Sequence, residues 1–243
     1  MRLNRRIGNR THGGGVLERS GLTPLLLDWS YCSKEKFLFY TESSIEAEEI
    51  YGFHDCWVTH NPLNPMGHTG LQFYGPGLWY PEGSAWLLRH LVDHYDFTRG
   101  RKFLEKIYPI LQGNVKFWLQ YLVKDPLDPG VLSCCPTCLP EQPPYTMAAS
   151  MSMQAAEDLL RNFIRVSQDL GNLPEEDLNL LPEAEQVWKR MDHGLRVDEQ
   201  EGIIRDWKYK PSRTGETSGI LISSMHSIPE MPEQTRGRSR KSL

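Results

Sequence analysis

Residues 84–97 read SAWLLRHLVDHYDF, and the spacing of the larger side chains in this stretch decides the fold class. Trp86, Leu87, His90, Leu91 and His94 recur three and four positions apart, which aligns them along one side of an α-helix. After Thr98, read as a cap, the same rhythm carries on through Phe103, Leu104, Ile107, Leu111, Val115, Trp118, Leu119 and Leu122. Pro109 falls inside this second segment and is expected to bend or split it, since proline lacks an amide donor and crowds the preceding turn. A third helix is expected from about Ser150 to Leu170, through Met151, Ala155, Leu159, Phe163 and Val166, and a fourth over roughly Glu183 to Met191 with Pro182 near its start. Helices of this length joined by loops argue for an all-α fold of paired helices. There is no strand-helix alternation, no glycine-rich phosphate loop and no clear internal repeat.

Outward from this core the patterning weakens. Ser43 followed by Glu46 reads as a capping box opening a short helix. Residues 51–81 mix glycine and proline with aromatics and histidines, a composition of long ordered loops that carry binding groups. Residues 1–41 form an irregular N-terminal segment, and 211–243, rich in Ser, Thr, Gly and Arg, read as a disordered tail. The 243 residues are long enough for a sizeable core, and 39% hydrophobic with 24% charged residues is an ordinary soluble composition. A net charge of -4 gives no general attraction for nucleic acid. No apolar run approaches the ~18 residues of a membrane span, and no export signal is read at the start. Asn9 in NRT is a glycosylation acceptor only on a secretory route. Five cysteines are too few for a disulfide-built fold. SCCPTC clusters Cys134, Cys135 and Cys138 without a fourth ligand at the expected spacing, so free thiols or an incidental disulfide are the reading, and no metal or cofactor is called for.

One segment stands apart from the helices. CLPEQPPY, residues 138–145, sets Glu141 among Pro140, Pro143 and Pro144, which forbid a regular helix. A loop carboxylate is usually solvated; held by stiff neighbours beside a cleft, it is suited to protonate a leaving group. Trp57 lies close to His60 and Asn61 in the loop-rich region, where an aromatic face suits the apolar patch of a sugar and the two polar groups would either bond its hydroxyls or order the loop. Trp86, within a strong helical rhythm, is assigned to the core. His90 and His94 are four apart, but neither an HExxH glutamate nor a third ligand accompanies them, so they read as structural or surface histidines.

Several segments in order resemble the catalytic domain of glycoside hydrolase family 95, the inverting α-L-fucosidases and related α-L-galactosidases. YGFHDCWVTHN at 51–61, the long stretch from Tyr80 to Pro126, the 131–145 segment that falls where the family has a Ser-Pro-Glu loop, SMSMQAAEDLLRNF and EGIIRDW carry the likeness over about residues 50–210. The resemblance implies an (α/α)6 toroid. Only four or five helices can be placed, so a partial, incomplete toroid over 42–210 is expected. It implies Glu141 as the general acid that protonates the departing glycosidic oxygen, with Trp57, His60 and Asn61 binding the substrate. The family is expected to activate water with an asparagine polarised by an aspartate, from an Asn-x-Asn segment that is not found before Tyr51. Lys210 stands where the supporting aspartate belongs, leaving Asp206 as the support if the alignment shifts. Further departures are Pro62 and Leu63 for a Thr-Asp pair, Ser152 for an aspartate, Glu82 within a Trp-Pro-Met-Gly pattern, and SRTGETSGILISSMHSIPE, where His226 is no adequate substitute for the expected His-Arg-His and Ser-His-Leu segment. The expected function is hydrolysis of terminal fucosyl linkages with inversion, acting on a fucosylated or related glycan with no nucleic-acid or membrane partner. The alternative is a catalytically inactive glycan-binding or structural remnant lacking the base arm. A third reading, an unrelated helical interaction module, requires the ordered likeness to be accidental.

Overall fold

The spacing read in residues 84–97 becomes helix α1, Glu82–Thr98, in the computed structural model, which describes residues 44–45, 47–60, 79–139, 142–198, 200 and 202–209. The capping pair Ser43 and Glu46, the N-terminal segment to 41 and the tail from 211 lie outside the described residues. Two apolar stripes overlap on α1, and the buried one runs through Ser84, Leu87, Leu88, Leu91, Val92 and Tyr95. Trp86 is therefore a surface residue, 46% exposed, and His94 is exposed too, which corrects the expected core face. The stripe holding Leu88, Val92 and Tyr95 removes more carbon from water than one holding two imidazoles. Thr98 closes this helix rather than opening the next: its Oγ1 donates to His94 O at 2.9 Å, and Arg99 turns left-handed with φ 49°.

Helix α2, Arg101–Tyr121, is continuous through Pro109. Proline is tolerated because Pro109 and Glu105, whose carbonyl loses its intrahelical donor, are both exposed and water can serve that oxygen. Its inner face, with Leu104, Ile107, Leu111, Val115 and Trp118, is the one expected from the spacing. Helix α3 occupies Ser150–Leu170, and α4 occupies Leu180–Arg190 after a 3-10 turn at Glu175–Asp177. The described chain is predominantly α-helical, with α3 packed against α1, α2 and α4. Phe163 of α3 stacks on Tyr108 of α2 at 5.7 Å. Arg89 grips Asp158 with one nitrogen at 3.0 and 2.9 Å, and Arg165 forks onto Asp96 at 2.7 and 2.9 Å, which sets the register of α1 against α3. No helix among the described residues is long and apolar enough to cross a membrane.

Between α2 and α3 the chain forms two antiparallel hairpins that the helical reading did not foresee. Strand β1, Leu122–Lys124, pairs with β2, Leu132–Cys134; β3, Thr137–Leu139, pairs with β4, Gln142–Thr146. Pro143 and Pro144 are accommodated because this ribbon has only two strands and its ladder is irregular between the Thr137↔Thr146 and Leu139↔Gln142 pairs. Cys134, Cys135 and Cys138 are buried thiols. Burial pushes the Cys135 thiol up to about 11 and the Cys138 thiol up to about 12, so both stay protonated.

Candidate functional site

The β3–β4 hairpin brings the sequence motif 138–145 into the fold. Leu139 pairs with Gln142; Glu141 itself, like Pro140, Asn61 and Lys210, lies outside the described residues. What holds this hairpin is visible. Tyr145 of β4 meets the Trp79 ring edge-on at 6.3 Å, and Trp79 lies 5.9 Å from His60. Tyr51 stacks on His60 at 5.7 Å, and the Tyr51 hydroxyl is 2.7 Å from His60 Nε2. Below them Trp79 Nε1 donates to the Tyr121 hydroxyl at 3.2 Å, and that hydroxyl donates to the carbonyl of Pro136, one residue before β3. His60 and the β3–β4 hairpin thus share one aromatic footing, in which the Tyr51 hydroxyl meets His60 and the Trp79 indole donates to Tyr121. His60 is 1% exposed, so its imidazole is an interior group in this arrangement.

Trp57 is carried by the same segment but turned to α2. It is buried, its Nε1 donates to Ile110 O at 3.0 Å, and its carbonyl accepts Asn114 Nδ2 at 2.9 Å. Gly113 makes room for it: a Cβ there would lie 2.6 Å from Trp57 Cδ1. Helix propensity favours alanine over glycine by about 1 kcal/mol, yet the ring has nowhere to retreat. Gly113→Ala is expected to lose about 1–3 kcal/mol of stability in a denaturant titration, as overpacking does. A stabilised variant would mean that Trp57 is not pinned.

Asp206 is exposed, and its backbone rather than its carboxylate is placed: its carbonyl accepts the Ser150 amide at 2.8 Å, while Arg205 O accepts the Ser150 hydroxyl at 2.8 Å. The segment 204–207 therefore closes the N-terminus of α3, where amides have no intrahelical partner.

The sequence reading missed a polar junction beneath the hairpin. Glu82, in the first turn of α1, is buried and accepts the Ser152 hydroxyl of α3 at 2.9 Å; Ser152 Oγ lies 2.6 Å from Thr137 Oγ1 of β3. Glu82 and Ser152 are two positions at which the chain departs from the pattern it resembles, and they touch. Only that double departure hinted at the contact.

The sequence model of the glycosyl hydrolase family 95 catalytic domain matches residues 37–218, which include both hairpins and helices α1 to α4. The chain belongs to this family. It is similar to "Probable alpha-fucosidase A" of Aspergillus niger, 27% identical over 212 residues, which are 82% of this chain and 26% of that protein. It is also similar to "Alpha-L-fucosidase 2" of Arabidopsis thaliana, 33% identical over 109 residues, 42% of this chain and 13% of that protein. This family 95 chain thus spans about a quarter of the Aspergillus relative's length and less of the Arabidopsis one.

Proposed function

We propose that this family 95 chain contributes the acid-bearing part of an (α/α)6 glycosidase site that hydrolyses terminal fucosyl or related linkages with inversion. Glu141 is the general acid. Asn61 meets the sugar hydroxyls, and Trp57 and His60 are the substrate-side footing that orients the segment carrying it. The observation that carries this reading is the shared aromatic footing of His60 and the β3–β4 hairpin, within a chain whose family match covers both. Cleavage of a glycosidic bond needs a proton on the departing oxygen, and a carboxyl set among prolines that restrict its backbone can hold one in place. Inversion also needs water activated from the opposite face of the ring. Asp206 would support that second arm through the segment it anchors.

A second reading, a glycan-binding or structural part without turnover, is favoured by Lys210 at the position where the resemblance expects a carboxylate. An ammonium has no lone pair to accept the bond that would polarise the activating amide. Hydrolysis of a 2'-fucosyl oligosaccharide, measured beside glycan binding and a circular-dichroism check of folding, separates the two. Turnover that falls about 10²–10⁴-fold in Glu141→Gln establishes the acid. Binding without turnover by a folded chain supports the second reading, and neither binding nor turnover by a folded chain overturns both.

A further inference from the structure

Glu82 is 1% exposed, and among the described residues only one of its oxygens is engaged by another side chain: Oε1 accepts the Ser152 hydroxyl, while Oε2 has no hydrogen-bond partner there. Ser152 has one hydroxyl proton, which it gives to Glu82, so Thr137 must donate to Ser152 Oγ across their 2.6 Å contact. The chain of donors runs from the first residue of β3, through α3, to the first turn of α1. It ties the hairpin that contains Glu141 to the two helices beneath it.

We propose that Glu82 is a positioning residue for the β3–β4 hairpin, holding it through Ser152 and Thr137 as a neutral acid and loosening it on ionisation. A buried carboxylate with a bare oxygen is costly, because one hydroxyl and its own backbone amide do not replace the water that an anion loses. Burial raises the Glu82 carboxyl to about 7, outweighing its backbone hydrogen bond and that from Ser152. The ionisable groups that face it offer no relief. Tyr80, just before α1, Cys134 on β2 and Cys138 on β3 are all raised by burial first and then by Glu82 itself, so none titrates near neutrality. Among the described residues, Ser152 and Thr137 also face it from α3 and β3 and carry no charge.

The linkage has a definite sign. A glutamate titrates near 4.5 in the unfolded chain and near 7 here, so the restraint is whole below 4.5 and is lost as pH rises through 7. The test is hydrogen exchange of the backbone amides of 137–146, expressed as protection relative to an unstructured peptide at the same pH, with the inner amides of α2 as control. Between about pH 5 and about pH 8 the wild-type hairpin should lose roughly fifty- to a hundredfold in protection beyond the α2 amides if it opens locally, or together with them if opening is global. Glu82→Gln keeps the acceptor and the shape without the charge, and its protection should not carry this change. Ser152→Ala should lower hairpin protection at both values. Equal protection of the wild type at the two values, or the same loss in Glu82→Gln, overturns the proposal. Its catalytic consequence rests on the reading of Glu141 as the acid, but the exchange readout does not involve hydrolysis, so the two fail separately. Where hydrolysis is seen, Glu82→Gln should carry kcat to higher pH with KM unchanged.

Discussion

Asp125→Ala is expected to cost about 3 kcal/mol, the lower end of the loss on breaking a buried ion pair. Asp125 is fully buried at the start of the β1–β2 connection and accepts from Lys208 Nζ at 2.7 Å, from the Tyr209 hydroxyl and from the amides of Leu127 and Asp128. Removing it leaves the Tyr209 and Ser133 hydroxyls and the amides of Leu127 and Asp128 short of an acceptor, but not Lys208 alone in apolar surroundings, because Asp192 Oδ2 stands 3.3 Å from the same ammonium. That second carboxylate is why the lower end of the range applies. Burial by itself would raise the Asp125 carboxyl; the hydrogen bonds from Lys208, Tyr209 and Leu127 outweigh burial and hold it below the usual aspartate range. A depressed carboxyl adds stability that is present above its unfolded value and lost as pH falls through its folded one. Urea titrations should therefore show a wide gap between wild type and variant at neutral pH that narrows in acid. A gap below about 1 kcal/mol at neutral pH would mean that the network is replaced without loss. The consequence reaches α3, since Lys208 and Tyr209 follow directly on the segment whose carbonyls serve Ser150.

The helices were legible because each buries one stripe at helical spacing, and α2 and α3 run as that spacing predicts. On α1 the period was right and the face was not. Leu88, Val92 and Tyr95 form a second stripe that only packing against α3 could select. The hairpins were not legible: three-residue strands are too short to show alternation, and the prolines of β4 argue against a strand unless the ribbon is known to stop at two. Glu141 stood out by chemistry and by likeness to a family. Its surroundings did not, because Glu82 meets Ser152 across 70 residues of sequence and Asp125 meets Lys208 across 83. Such contacts leave no local periodicity. His60 illustrates the same limit, since a histidine in a glycine- and proline-rich stretch reads as exposed until Tyr51 and Trp79 are seen around it.

Trp79→Ala should cost about 3–5 kcal/mol, as large aromatic-to-alanine changes in a core do. Trp79 is buried against Tyr51, His60 and Tyr145, and its carbonyl accepts the Cys138 thiol at 3.4 Å. Losing the indole opens a void at the place where His60 and the hairpin share support, so loss of position should accompany loss of stability. Trp79→Phe separates the two. It keeps a ring between His60 and Tyr145 but removes the donor to Tyr121, whose own hydroxyl still has Pro136 O, together with part of the indole's volume, so about 1–3 kcal/mol is expected. Assayed well below both melting transitions, Trp79→Ala should lower turnover of a fucosyl oligosaccharide far more than Trp79→Phe. Wild-type turnover in both variants would show that the aromatic footing stabilises the domain without aligning Glu141 and Asn61. A fall in Trp79→Phe as large as in Trp79→Ala would assign the alignment instead to the Trp79–Tyr121–Pro136 hydrogen bonds, which reach β3 from below.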